Sequence, residues 1–236
     1  MKLAIMQPYF FPYLGYFQLI HATDRFILFD DVQYIRRGWI NRNRILKPEA
    51  GNQYMTMSIA EHSRDTLIKN IKINDNGEWK LKIIRQLEHY KKKAPFYNQT
   101  MQLITECFEN EETNITLFNA QCLKAVCDYI GIEHSIEISS NMNFDYSNVN
   151  DAGEWALRIS EQLGAREYVN PFGGIDLFDR DKFSKSGIKL NFIYPKLLEY
   201  NQRRNSFEVG LSIIDIMMNV SVDGIQEHLK MFELKN

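Results

Sequence analysis

Asp30 and Asp31 close the apolar run "RFILF". The stretch 35–47 that follows holds Arg36, Arg37, Arg42, Arg44 and Lys47, with Trp39, Asn41 and Asn43 among them. A carboxylate can take the proton of an attacking amine or hold a divalent metal. Arginine forks suit phosphate and carboxylate groups. The pattern therefore predicts a site with Asp30 and Asp31 as the catalytic pair. Gln33, Arg36, Arg37, Trp39, Asn41, Arg42 and Asn43 are its expected ligand contacts. The plainer alternative is salt bridging between the two carboxylates and the arginines. Interleaved basic and aromatic residues also bind RNA. The cluster is short, however, and the rest of the chain is not basic, so an anionic small molecule is favoured.

Two more stretches have unusual chemistry. In "QPYFFPYLGY", Gln7 to Tyr16, two prolines bracket three aromatics. A loop that opens into a helix presents free N–H groups and the positive end of the helix dipole. Tyr13-Leu14-Gly15-Tyr16 stands where a nucleotidylyltransferase carries HxGH. A tyrosine can donate one hydrogen bond but carries no positive charge, so the clamp on a triphosphate is missing. Tyr9 and Tyr13 suit stacking on a base or sugar, and Gly15 suits close approach; the plainer alternative is a core plug. Gln7 ends a buried strand, where an unpaired amide is costly. It is expected to face a ligand, with Tyr16 in the same cleft and Phe10 or Phe11 packed inward. In "NPFGG", Asn170, Gly173 and Gly174 could approach a ligand closely, or form an ordinary turn. "KFSKSG", Lys182 to Gly187, reads as a solvated turn. Ser184, Cys122 and His62 belong to no recognisable catalytic motif.

These loops need strands to hold them. Lys2–Met6 and "RFILF" read as buried strands joined by a proline-rich loop and a helix from about Tyr13. The stretch from Tyr34 to Pro48 reads as a basic loop, "YMTMSIA" as a strand, and the second half of "TLIKNIKI" as a strand. Helices are expected over 79–90 and 96–110. A helix, a glycine and a strand then occur twice: 116–130, Gly131, "HSIEIS", and 152–163, Gly164, "EYVN". Asp151 and Glu154 can cap the second helix. "GIKLNFI" is another strand, and two short helices end the chain. This rhythm predicts an α/β fold, a doubly wound, mostly parallel Rossmann-like sheet with a nucleotidylyltransferase-like layout. Residues 1–205 would form it, and 206–236 a helical appendage packed on the same domain. The apolar stretch Leu211–Met218 could be an exposed partner surface or core.

Composition bounds the function. The 236 residues are 44% hydrophobic and 25% charged, with a net charge of −2, so no global charge draws the chain to nucleic acid or membrane. The three cysteines form no CxxC and the five histidines no metal-binding spacing, which excludes a zinc-site reading. No apolar run reaches the ~20 residues of a membrane span, and the apolar opening is too short for a signal-peptide core. A cytoplasmic location with reduced thiols is expected. No metal site is predicted from spacing.

"IMQPYFFPYLGYFQLI", "FILFDDVQYIRRGWINRNRI", "KAPFY", "NPFGG", "YPKLLEYNQ" and "LSIIDIMMN" together resemble the WbqC-like family of bacterial proteins across nearly the whole chain. Phe29 stands where the family usually has Leu, and "NPFGG" departs from its commoner Asn-Gly-x-Gly-Gly. The resemblance implies a role in O-antigen and other surface-polysaccharide biosynthesis. It further implies attachment of an amino-acyl group, such as glycyl, to the amine of a nucleotide-linked sugar. The expected ligand is that nucleotide-linked sugar or another anionic small molecule. The acyl donor stays open between ATP with Mg2+, a thioester and charged tRNA, and a homo-oligomer also stays open. Two alternatives remain: nucleotidyl transfer to a sugar phosphate, with Asp30 and Asp31 on magnesium, and a non-catalytic nucleotide-sugar-binding protein.

Overall fold

The computed structural model describes residues 1–74 and 76–236. Its centre is a six-stranded sheet. β1 (Lys2–Met6) pairs in parallel with β2 (Arg25–Leu28) on one side and β6 (Glu167–Pro171) on the other. β5 (Ile136–Ile138) extends the β2 side and β7 (Lys189–Pro195) the β6 side, both parallel. β8 (Phe232–Lys235) closes the β7 edge in the antiparallel sense. The order is β5-β2-β1-β6-β7-β8. The chain thus winds outward from β1 in one direction, then returns and winds in the other. The reversal falls between β1 and β6, where an open α/β sheet has its natural ligand crevice.

Alternation along the strands feeds two cores. Leu3 and Ile5 of β1, with Ile27 of β2, pack on one face against α5 (Glu154–Gln162) and Phe183 of α6 (Arg180–Lys185). Ala4, Phe26 and Leu28 face the other way, against α1 (Leu14–His21), α4 (Ile115–Ile130) and α8 (Val222–Leu229). Such two-sided burial is what a parallel sheet requires. Asn114 caps α4 by accepting from the N–H groups of Thr116 and Leu117, and Gly131 ends it at φ 71°. Asp151 accepts from the N–H groups of Gly153 and Glu154 at the start of α5, as its sequence predicts.

Between β2 and β5 the chain makes a separate hairpin, β3 (Arg42–Leu46) with β4 (Asn52–Thr56), and the helices α2 (Glu78–Leu87) and α3 (Tyr97–Glu109). Several local expectations change. "RNRIL" is strand β3, not loop, because Ile45 and Leu46 are buried while Arg42 and Arg44 alternate outward. The strand expected in "TLIKNIKI" is a single 3-10 turn at Ile68–Asn70 followed by isolated bridges at Lys72 and Ile73. "KFSKS" lies mostly in α6, capped by Asp179. Leu211–Met218 is buried throughout and contains most of α7 (Ile213–Asn219), so it is core rather than partner surface. The C-terminal segment is not wholly helical: its last residues form β8 and join the main sheet.

Candidate functional site

The loop after β1 is held from below by buried side chains. Asn43 Nδ2 donates to the carbonyls of Phe10 and Phe11 at 3.1 and 2.9 Å. Asn119 Nδ2 donates to the Pro8 carbonyl, and Ser212 Oγ to that of Phe11. The Tyr16 hydroxyl donates to the Gln7 carbonyl at 2.8 Å. These bonds hold Phe11 at φ 39°, a left-handed value that only a fixed loop tolerates in a bulky residue. Phe10 and Phe11 are fully buried and meet Trp79 and Phe108 edge to face. The opening stretch is therefore both plug and cleft wall: the phenylalanines fill the core, and Gln7, Tyr9 and Tyr13 stay on the outer side.

Two cavities flank Tyr9 at the C-terminal ends of β1 and β6, and both have Met6 and Tyr9 as walls. The larger, about 440 Å³, is lined by Tyr13, Trp39, Asn43, Arg44 and Pro171, and closed by Leu197, Val209 and Gly210. The smaller, about 370 Å³, is lined by Gln7, Gln33, Trp155, Tyr168 and Asn170 among apolar neighbours. Among the described residues no charged side chain lines the smaller cavity, and Arg44 is the one that lines the larger. Arg44 Nη2 donates to the Gly210 carbonyl, its guanidinium lies 5.7 Å from the Trp39 ring centre, and its Nε is buried without a partner. Burial raises the Tyr9 phenol, with Tyr13 adding to the effect, and burial raises Tyr13 likewise, so both rings are neutral at ordinary pH.

The carboxylates expected to do the chemistry are engaged elsewhere. Asp30 is 1% exposed. Its oxygens accept from Ser139 Oγ and Ser140 Oγ at 2.9 Å and from the Ser140 N–H at 3.1 Å. Asp31 pairs with Lys69 Nζ and accepts from the Tyr146 hydroxyl, both at 2.8 Å. Burial alone would raise the Asp31 carboxyl, but bonds from Lys69, Ser139 and Tyr146 outweigh it and hold the group below its ordinary value. Neither residue lines the two cavities. Their oxygens are engaged with Ser139, Ser140, Lys69 and Tyr146, and the pair does not fit a magnesium site in the cleft. Their partners are also not the arginines of 36–44, as the salt-bridge alternative supposes.

The remaining candidates divide by position. Gln7, Tyr9, Tyr13, Gln33, Trp39, Asn43 and Asn170 line the cleft. Tyr16 does not face it: the ring is 2% exposed and serves as a brace for Gln7. Gly15 makes room for the Tyr13 ring, which lies against the first turn of α1 where a Cβ would collide with it. That turn is covered rather than open to a phosphate. Gly174 gives the same clearance to the Asn170 amide, and Gly173 faces open space. Asn41 accepts from the Tyr34 hydroxyl and donates to the Met57 carbonyl, so it is structural. Arg42 donates to the carbonyls of Gly38 and Arg37 and lies 4.2 Å over the Tyr54 ring centre, bracing its own turn. Arg37 is exposed at φ 62°, and Arg36 lines a separate depression with Gln33. Arg44, Trp155, Tyr168 and the 197–210 loop are cleft residues that the motif reading did not select. That loop is brought there by buried Asp215, which accepts from Tyr90, Tyr200 and Gln202.

Among the described residues no three histidines, cysteines or carboxylates stand close enough to hold a metal. None of the helices described is long and apolar enough to cross a membrane. A comparison with solved structures gives no match. The chain is 33% identical over 230 residues to the uncharacterized protein Rv1507c of Mycobacterium tuberculosis, covering 94% of this chain and 95% of that one. The model of the WbqC-like protein family matches residues 7–227. That match runs from Gln7, at the end of β1, to Glu227 in α8, so it takes in the whole cleft, and the chain belongs to the WbqC-like protein family.

Proposed function

We propose that the protein is a transferase of surface-polysaccharide (O-antigen) biosynthesis that modifies a nucleotide-linked amino sugar, acylating the sugar amine with an amino-acyl group of the glycyl type. The observation that carries this reading is the pair of cavities meeting at Tyr9 where the strand order reverses. A ligand with flat, neutral parts and polar substituents matches ring-lined walls, the amides of Gln7, Gln33 and Asn170, and the Arg44 guanidinium, whose buried Nε is a free donor. In the transfer, the amine nitrogen forms a bond to the acyl carbon, the bond from that carbon to its carrier breaks, and the amine proton leaves with the carrier or to a base. The cleft residues contribute positioning of the amine and exclusion of water. In this reading Asp30 or Asp31 accepts the proton only by giving up a present hydrogen bond.

Calorimetric titration with uridine diphosphate glucosamine, on wild type and Tyr9→Ala, tests the reading. Stacking on an aromatic ring is worth ~1–3 kcal/mol, so the variant should bind roughly five- to a hundredfold more weakly. Equal affinity in the two proteins, or no binding to wild type, overturns it. A second reading, a binding protein without turnover, is favoured by the internal engagement of both carboxylates. Transfer of labelled glycine from ATP-activated, thioester or tRNA-linked donors separates the two. Pyrophosphate release from a nucleoside triphosphate and a sugar phosphate would instead support nucleotidyl transfer.

A further inference from the structure

A third depression adjoins the smaller cavity and shares Gln33 and Ile35 with it. It has a volume of about 470 Å³ and is lined also by Tyr34, Arg36, His62 and Arg64. Two short segments build it. The backbone N–H of Tyr34 donates to the Thr66 carbonyl, that of Ile68 to Val32, and Gln33 bridges Leu67, so 32–36 and 62–68 run locked together. Gln33 Nε2 adds a bond to the Arg64 carbonyl at 2.7 Å. The backbone is thus fixed, and the charged ends are not. Among the described residues no hydrogen bond or ion pair engages either the Arg36 or the Arg64 guanidinium. No carboxylate lines the depression.

His62 supplies an independent observation. Its Nδ1 lies 3.0 Å from the Ala60 carbonyl, which can only accept, so Nδ1 carries the ring proton. Its Nε2 is buried and has no hydrogen-bond partner. A buried polar atom left unpaired is costly and calls for an explanation. With the proton on Nδ1, Nε2 is an acceptor, and a ligand hydroxyl donating to it satisfies it. Two unpaired guanidinium forks around one depression are the donor set of a phosphate site, the His62 Nε2 beside them accepts from a ligand hydroxyl, and no carboxylate lines the depression to repel an anion.

We propose that Arg36 and Arg64 form a diphosphate subsite with His62 accepting a ligand hydroxyl at its edge, placed so that a ligand whose neutral part lies beside Gln7 and Trp155 carries its pyrophosphate past Gln33 into this depression. The inference rests on the reading of the cleft as a nucleotide-sugar site, and it names which residues hold the ligand's charge. The arginine that braces its own turn, Arg42, is not among them.

The test is calorimetric titration of the full chain with inorganic pyrophosphate and, separately, uridine diphosphate glucosamine. The proteins are wild type, the double variant Arg36→Ala with Arg64→Ala, Tyr9→Ala, and Arg37→Ala as a neighbouring exposed control. The double variant should melt like wild type, since both side chains are exposed and unpaired. It should bind both ligands at least tenfold more weakly. Tyr9→Ala should weaken only the nucleotide sugar, and Arg37→Ala neither. Wild-type pyrophosphate affinity in the double variant overturns the subsite even if the nucleotide sugar binds. An equal loss in Arg37→Ala also overturns it, because the effect is then general surface charge. If pyrophosphate binding depends on Arg36 and Arg64 while no nucleotide sugar binds, the subsite stands and the reading of the cleft fails.

Discussion

The corner around Asp30 and the cleft around Tyr9 stand beyond the ends of neighbouring strands, β2 and β1, and use their polar groups in opposite ways. At the corner every charge is turned inward. Asp30 ties the end of β2 to Ser139 and Ser140 after β5, and Asp31 ties it to Lys69 and Tyr146. In the cleft the groups facing space are neutral apart from Arg44: the Gln7 amide, the phenols of Tyr9 and Tyr13, the indole of Trp39. The difference follows from desolvation. A carboxylate taken from water must find several donors, so an Asp-Asp pair closing a buried strand is drawn into the framework. An amide or phenol at the rim can keep one side wet at little cost and so stays available to a ligand. Charge density in a sequence marks reactive chemistry and buried scaffolding alike, and the surroundings decide which.

Asp30→Ala should break the comparison most visibly. It leaves two hydroxyls and one N–H without their acceptor in a buried place. A stability loss of about 3 kcal/mol is expected, or a fall in melting temperature of roughly 6–12 °C for a chain of this length. The protein that remains folded should bind a nucleotide sugar as wild type does. A variant that melts normally but loses binding would return Asp30 to the site.

A smaller effect sits in acid. The Asp31 carboxyl is held below its ordinary value in the folded state, with burial opposing and Lys69, Ser139 and Tyr146 prevailing. The unfolded chain therefore binds the proton first, and the stabilisation by Asp31 is fully present above about pH 4. It is lost as the pH falls from there through the lower folded value. Urea unfolding of wild type and Asp31→Asn should differ at pH 6 and converge towards pH 3. A difference that stays constant over this range would show that Asp31 has no such linkage.

The sheet was legible because its signals are local. Apolar strands, Asp151 as a cap, and glycines at 131 and 164 each specify their element within a few residues. β8 was not legible, because "FELK" has too few apolar residues to announce a strand and becomes one only against β7. The lining of the cleft was legible in part for the same reason. Gln7, Tyr9, Tyr13 and Asn170 follow from the rule that ligands sit beyond strand ends. Which of the arginines faces a ligand depends on contacts over distance. Arg42 finds carbonyls of its own turn, whereas Arg44 is carried to the cleft by β3 and meets Gly210. The 197–210 loop reaches the cleft through Asp215, Tyr90 and Tyr200, residues up to 125 positions apart that no spacing rule connects.

Gln7→Leu sharpens the comparison from the cleft side and has the smallest effect on the fold. The structural bond at this position belongs to the backbone: the Tyr16 hydroxyl donates to the Gln7 carbonyl, which any side chain keeps. The Gln7 amide makes no hydrogen bond among the described residues and lines the smaller cavity. Leucine fills a similar volume without a polar group, so stability should change by less than about 0.5 kcal/mol in either direction. A ligand that uses the amide loses one neutral hydrogen bond, ~0.5–1.5 kcal/mol, or roughly two- to tenfold in affinity. Titration with the nucleotide sugar and thermal unfolding, run together, give the two numbers. Asp30→Ala and Gln7→Leu should then show opposite signatures, stability without affinity and affinity without stability. Loss of stability with unchanged binding in Gln7→Leu would mean that the amide is a framework group too, and the site would have to lie on the Trp39 and Arg44 side of Tyr9.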